Sequence, residues 1–223
     1  SLAFDSSGKL YVADNGNNRV LVFNPPFTNA MTASSTFGEG HSGVSSIQLD
    51  PAGAGFWTLE NIGWDGIVRL WNFDGTLAKE LPKLSHNAIG SIGIDTQGNI
   101  LPSTYVYGQD VYKLTPQADG TYKTTKAIFS PPSGYNLTSA RRLEHSAWVG
   151  VAVAANQLIV SDTRLLFWND LGSLTNGKTA DGFVGAPSFT ELPGFSPVKV
   201  DGQNRVWVNK TTEIRIYQAP LTT

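Results

Sequence analysis

The chain contains no cysteine, which removes disulfides, thiolate metal sites, iron–sulfur clusters and thiol catalysis together. Charge is scarce as well: Asp, Glu, Lys and Arg make up 15% of the residues, against about 25% in an average soluble domain. Much of the polar surface must then be Asn, Thr, Ser and Gln, a balance expected of an extracellular or periplasmic protein. Neither sign of charge dominates, since 16 Lys and Arg face 18 Asp and Glu for a formal net charge of −2. A nucleic-acid footprint rests on several cations each neutralising a phosphate, so no nucleic-acid partner is expected. No run approaches the roughly 18 apolar residues of a spanning helix, so no membrane insertion is expected, and no basic-then-apolar leader opens the sequence. A start at Ser1 in place of Met is what a processed or excerpted chain would show. Against these absences stand 223 residues, of which 40% are hydrophobic, enough for one sizeable core.

A repeat organises those residues. The first copy reads Leu2-Ala-Phe-Asp5, a turn to Gly8, Leu10-Tyr-Val-Ala-Asp14, a polar turn, and Arg19-Val-Leu-Val-Phe23. Further copies carry Ile47-Gln-Leu-Asp50, Ile92-Gly-Ile-Asp95, Val151-Ala-Val-Ala154 and Val198-Lys-Val-Asp201, each followed by two more alternating stretches. Along the Asp position the copies stand at 5, 50, 95, 154 and 201, so only the third interval carries an insertion. Short alternating stretches separated by Asp, Gly and Asn turns mark consecutive antiparallel strands. A fourth strand per unit is expected near residues 33–37, 78–84, 121–129 and 179–184. Four strands in about 45 residues is one blade of a β-propeller. The fold class is therefore all-β, a single propeller domain over 1–223 with blades at 1–43, 44–87, 88–147, 148–193 and 194–223, the last incomplete.

These residues resemble the NHL repeat, whose blade reads apolar-Ala-Val-Asp, a Gly turn, apolar-Tyr-Val-Ala-Asp and Asn-x-Arg-Val. The first copy follows that pattern almost throughout, and residues 158–190 resemble bacterial NHL proteins of unassigned function. The resemblance implies six blades, as in many relatives. The five visible units then read as an excerpt, with an upstream segment supplying the last outer strand or a sixth blade; an edge left unpaired would be an association hazard.

Asp5, Asp50, Asp95 and Asp201 each precede a turn, where a short carboxylate accepts hydrogen bonds from turn amides. Asp14 with Arg19, and Asp162 with Arg164, are expected to pair across a hairpin. Tyr11, Trp57 and Trp207 in the second strands, and Phe23, Trp71, Trp168 and Tyr217 in the third, recur at matched positions and read as packing between blades. Pro102 stands where a ladder donor is needed, so the third blade is expected to bend there. Trp64 and Trp148 fall outside the register and read as ligand-face residues.

The three histidines share one site in the repeat. His41 lies nine residues before Asp50, His86 nine before Asp95 and His145 nine before Ala154. Imidazoles converging from three blades would bind zinc or another divalent ion and leave an open position for catalysis. This resembles the peptidyl-hydroxyglycine amidating lyases, NHL propellers with a three-His zinc site. Their histidines sit immediately before the inner strand, whereas these lie about five residues upstream, a reach of up to about 16 Å. Glu144, beside His145, is a candidate carboxylate partner supporting a metal-bound histidine, and Glu60, expected on the loop between the second and third strands, is a candidate ligand or base; these two are the catalytic candidates. The inserted segment 130–148 carries Tyr135, Arg141, Arg142 and Trp148 and reads as a ligand-face loop. Two readings follow: a non-catalytic binding or scaffold propeller presenting loops on one face to a protein, peptide or glycan, and a divalent-metal-dependent lyase or hydrolase.

Overall fold

The computed structural model describes residues 1–38, 43–63, 65–84, 90–103, 110–128, 150–161, 165–175, 178, 180–184, 198–209 and 214–222. Within them the chain forms five consecutive antiparallel sheets. The first joins β1 (Leu2–Phe4), β2 (Leu10–Asp14), β3 (Arg19–Phe23) and β4 (Ser35–Phe37). The second joins β5 (Val44–Leu49), β6 (Gly55–Ile62), β7 (Asp65–Asn72) and β8 (Leu77–Glu80). The third holds β9 (Ile92–Ile94), β10 (Ile100–Pro102), β11 (Asp110–Pro116) and β12 (Tyr122–Ile128), and the fourth β13 (Gly150–Ala154), β14 (Gln157–Ser161), β15 (Leu165–Trp168) and β16 (Gly182–Val184). The fifth has three strands, β17 (Val198–Val200), β18 (Arg205–Asn209) and β19 (Ile214–Gln218). In every sheet the strands lie side by side in chain order, which is the blade of a β-propeller. Among the described residues no helix is long and apolar enough to cross a membrane.

One turn recurs between the first two strands. The residue three after the Asp has a positive φ in each of four blades: Gly8 at 81°, Gly53 at 75°, Gly98 at 79° and Asn204 at 58°. Its amide donates to the Asp carbonyl in all four. Glycine takes this left-handed conformation without steric cost, and Asn is the residue that best replaces it. Gly55 is required for a different reason. A Cβ there would lie 1.8 Å from the Trp71 carbonyl oxygen, so β6 could not pair with β7 at that point.

The chain divides into two compact units, Ser1–Ile92 and Gly93–Thr223, the boundary falling within β9. In the first, Tyr11, Ala13, Val20 and Val22 of the first sheet bury against Ile47, Phe56 and Trp71 of the second. In the second unit, Leu101 and Val111 pack on Val151, Leu158, Val160, Leu166 and Trp168. The other side of that fourth sheet, including Ile159 and Phe167, packs on Val198, Val206 and Val208 of the fifth. The alternation of each strand thus feeds two neighbouring cores, which is why both sides of a central blade are apolar.

The matched aromatics follow this logic with three exceptions. Tyr11, Trp57, Trp71 and Trp168 are buried, whereas Phe23, Trp207 and Tyr217 are only half-buried. At Pro102, where a bend is expected, the pairing register is kept: Ile100 pairs with Leu114 and Ser103 bridges Val111.

Candidate functional site

The polar residues that recur from blade to blade are held by the turns. The Asp5 carboxylate accepts from the Ser7 and Lys9 amides at 2.9 Å each and from the Tyr11 hydroxyl at 3.1 Å. Asp50 takes the Ala54 amide and the Trp57 indole N–H, the latter at 3.0 Å. Asp201 takes the Gln203 and Arg205 amides, the Arg205 guanidinium at 2.7 Å and the Trp207 indole at 2.9 Å. In the third blade Leu101 replaces the aromatic, and the Asn99 side-chain amide fills the place, 2.6 Å from Asp95. In four of the five blades one carboxylate therefore fastens the end of the first strand to the start of the second; in the fourth, Ala154 stands in its place.

Electrostatics agree with that geometry. Slight burial pushes the Asp5 carboxyl up, but the hydrogen bonds from Ser7, Lys9 and Tyr11 outweigh it and hold the group below its ordinary value. At Asp201 a desolvation effect of the same sign is overcome by Trp207, Arg205 and Gln203, which hold it well below the carboxylate range. Burial, with help from Asp5, pushes the Tyr11 hydroxyl up to about 12. Arg19 pairs with Asp14 at 2.9 Å as expected, with Asn17 also donating to that carboxylate. Asp162 and Arg164 lie outside the described residues.

Glu60 is not on a loop. It lies within β6, two residues before its end, and is fully buried. One carboxylate oxygen accepts from the Thr58 hydroxyl at 2.8 Å and the other from Arg69 Nη1 at 2.5 Å. Arg69 also holds Glu80 on β8 at 2.8 Å, and the Trp71 indole donates to Thr58 Oγ1 at 2.9 Å. This network ties β6, β7 and β8 together. The apolar alternation stops near Leu59, which made Glu60 read as a loop residue, yet the hairpin ladder runs on through Glu60–Ile67 to Ile62–Asp65. Arg69 was missed because its partner stands nine residues away, on the neighbouring strand. Lys199 was missed too, although a lysine between two valines in the inner strand, where the other copies have Ala3, Gln48, Gly93 and Ala152, is a signal. It stands opposite Trp207, and desolvation lowers its ammonium to about 8.

His41, His86, His145, Trp64, Tyr135, Arg141, Arg142, Glu144 and Trp148 all lie outside the described residues. Of the residues singled out for a metal or ligand site, Glu60 alone is placed. Among the described residues, which include no histidine, no group of three or more His, Asp or Glu is disposed to hold a metal ion.

A family model described as NHL repeat matches residues 1–23, which span β1 to β3. No curated protein matches the chain in sequence. Solved structures match it in fold. A functionally unknown protein from Desulfotomaculum acetoxidans DSM 771 aligns with TM-score 0.65 and 16% identity, covering 97% of this chain and 64% of that one. Hydrazine synthase of Kuenenia stuttgartiensis aligns with TM-score 0.65 and 13% identity over 99% of this chain and 71% of that one. A catalytically inactive histidine-to-alanine variant of virginiamycin B lyase from Staphylococcus aureus, solved with quinupristin, gives 0.61 and 12% over 99% and 70%. The chain thus spans roughly two thirds of the length of these proteins, and at such identities the likeness carries the fold alone. An NHL repeat thus occupies the first sheet, and the sheets that follow it, three of four strands and one of three, continue the chain as a β-propeller.

Proposed function

We propose that the protein is a non-catalytic binding or scaffold propeller that presents the loops of one face to a protein, peptide or glycan. The observation that carries this reading is the commitment of the recurring polar residues to the fold. Asp5, Asp50, Asp95 and Asp201 hold turns, and Glu60 holds three strands through Arg69. Such a frame is rigid, and rigid frames suit the presentation of variable loops. Trp64, Tyr135 and Trp148 are the anchors of the proposed contact surface, with Arg141 and Arg142 for an anionic group. The proposed location is extracellular or periplasmic, on composition, and six is the blade number that the resemblance implies.

Peptide and glycan arrays probed with the labelled protein test the reading. Replacing Trp64 and Trp148 together by Ala should weaken a ligand found this way by about tenfold or more, with the thermal midpoint unchanged. Equal binding by the variant would place the contact elsewhere.

The second reading, a divalent-metal-dependent lyase or hydrolase, is favoured by the shared register of His41, His86 and His145. The likeness in fold to a lyase inactivated by loss of a histidine supports it. Elemental analysis of untagged protein decides between the two. One equivalent of zinc, lost when the three histidines are changed to Ala, would favour the enzyme; no metal after zinc is supplied would remove it.

A further inference from the structure

In the third and fifth blades the side chain facing the turn Asp serves it. Asn99 donates to the Asp95 carboxylate at 2.6 Å and Arg205 to that of Asp201 at 2.7 Å. The fourth blade is built differently. Ala154 stands in the Asp position and faces Gln157 directly, so two residues join β13 to β14. Both are left-handed, Ala155 at φ 47° and Asn156 at φ 63°. Two successive positive φ values in a two-residue loop make the tight type I′ hairpin. Gln157 thus holds the place of Asn99 and Arg205 and has no turn carboxylate to serve.

Gln157 is 1% exposed, and a buried primary amide must find partners at both its ends. Its oxygen accepts from the Leu221 amide at 2.6 Å, and its nitrogen donates to the Leu221 carbonyl at 2.9 Å and to Asn169 Oδ1 at 2.7 Å. The side chain therefore pairs with the main chain of Leu221 as a residue of a neighbouring strand would. Residues 219–222 also alternate as a strand does: Ala219 and Leu221 are buried, Pro220 and Thr222 exposed. The two buried side chains share one core with Ala154, Ile159 and Phe167 of the fourth blade and Val206 and Val208 of the fifth. At its start the segment is tied to its own blade, where the Ala219 amide donates to the Asn204 carbonyl at 3.0 Å.

We propose that residues 219–222 are a latch, seated in a docking site formed by Gln157 and the tight hairpin of the fourth blade, and that the fifth blade keeps its place on the fourth only while the latch is closed. Apolar packing is non-directional, so the shared core alone does not fix where one blade sits along the other. A buried polar contact with every group satisfied does fix it, and Gln157 supplies one. A turn Asp would disable the site by claiming the side chain opposite, as Asp95 claims Asn99. The loss of that carboxylate at Ala154 and the capture of Leu221 are thus one change. The site takes an extended segment that offers one amide and one carbonyl from the same residue and turns an apolar side chain inward.

Hydrogen exchange of the full chain, read by mass spectrometry, tests the latch. Gln157→Leu keeps the bulk and removes the amide; Leu221→Ala leaves the amide and removes the buried side chain. In both variants residues 205–209 and 214–218 should exchange at least tenfold faster than in the wild type, together with 219–222. Residues 110–116, whose Val111 packs on the other side of the fourth blade, should keep their protection. Faster exchange confined to 219–222 would overturn the proposal by making the segment a passive covering. Unchanged exchange throughout would overturn it as well, by showing that Gln157 does not hold the segment. Should Gln157→Leu also loosen 110–116, the variant has failed to fold, and Leu221→Ala, which leaves the hairpin intact, decides by the same two criteria.

Discussion

At the scale of single residues, the Asp of the first turn is the unit of construction, and its worth can be measured where it is best shielded. Asp95 is buried, and its carboxylate serves the Gln97 and Asn99 amides and the Asn99 side chain. Asp95→Ala would leave those donors without an acceptor, and hydrogen bonds to charged groups are worth about 1.5–3 kcal/mol. A loss of about 2–3 kcal/mol in urea unfolding is therefore expected, and a loss below about 0.5 kcal/mol would mean that water replaces the carboxylate. The first and fifth blades add a pH signature. Carboxyls whose values are lowered in the folded state, as at Asp5, Asp14 and Asp201, add stability above the unfolded value of about 3.9. That stability is lost as pH falls through the folded value. Tyr11 works at the other limb, with its hydroxyl raised to about 12. The folded state then keeps a proton that the unfolded chain releases near pH 10, so stability declines as pH rises from about 10 to 12. Tyr11→Phe should cost about 1–2 kcal/mol at pH 7, and the gap to wild type should narrow at pH 11; a gap that stays constant would show that the hydroxyl is not held by Asp5.

At the scale of the element, the second blade departs most from its neighbours, because its hairpin is longer and a charged network lies inside it. Arg69→Met would leave Glu60 buried without its cation, and breaking a buried pair from one side costs about 3–5 kcal/mol. Replacing both partners, as Glu60→Leu with Arg69→Met, should recover most of that loss, since an apolar pair of similar volume is often as stable as the ions. Chemical unfolding of the two variants checks this. A double variant no better than Arg69→Met alone would show that Glu80 and Thr58 depend on Glu60 for more than charge. The same blade shows what a sequence can and cannot convey. Strands such as β2 and β3 were legible because alternation and turn chemistry are local, and because Asp5, Asp50, Asp95 and Asp201 repeat them at matched spacing. The role of Glu60 was not legible, because burial and partnership are settled across strands: Thr58, Glu60, Arg69 and Trp71 become neighbours only once β6 pairs with β7. Phe23 and Trp207 were misjudged for a related reason. Matched position predicts a packing role, but whether a blade lies against that face is not written in the residue.

At the scale of the whole molecule, net charge follows from composition independently of any contact, and it separates partner classes. With 16 cationic and 18 anionic side chains, no excess of positive charge exists to draw in a polyanion. Several cations are also committed to carboxylates: Arg19 to Asp14, Arg69 to Glu60 and Glu80, and Arg205 to Asp201. Arg141 and Arg142 are the only adjacent basic pair, and two phosphate contacts on duplex DNA give a dependence of log K on log salt of only about −1.8. Such a pair would suit one anionic group of a peptide or glycan better than a nucleic-acid backbone. Fluorescence anisotropy with a single-stranded RNA and a duplex DNA, titrated between about 50 and 200 mM salt, is expected to show no binding tighter than about 10⁻⁴ M at the upper concentration. A steep slope, beyond about −4, would require at least four cations along one track. That result would redirect the search for a partner from proteins and glycans to RNA, and Arg141 and Arg142 would be the first residues to change.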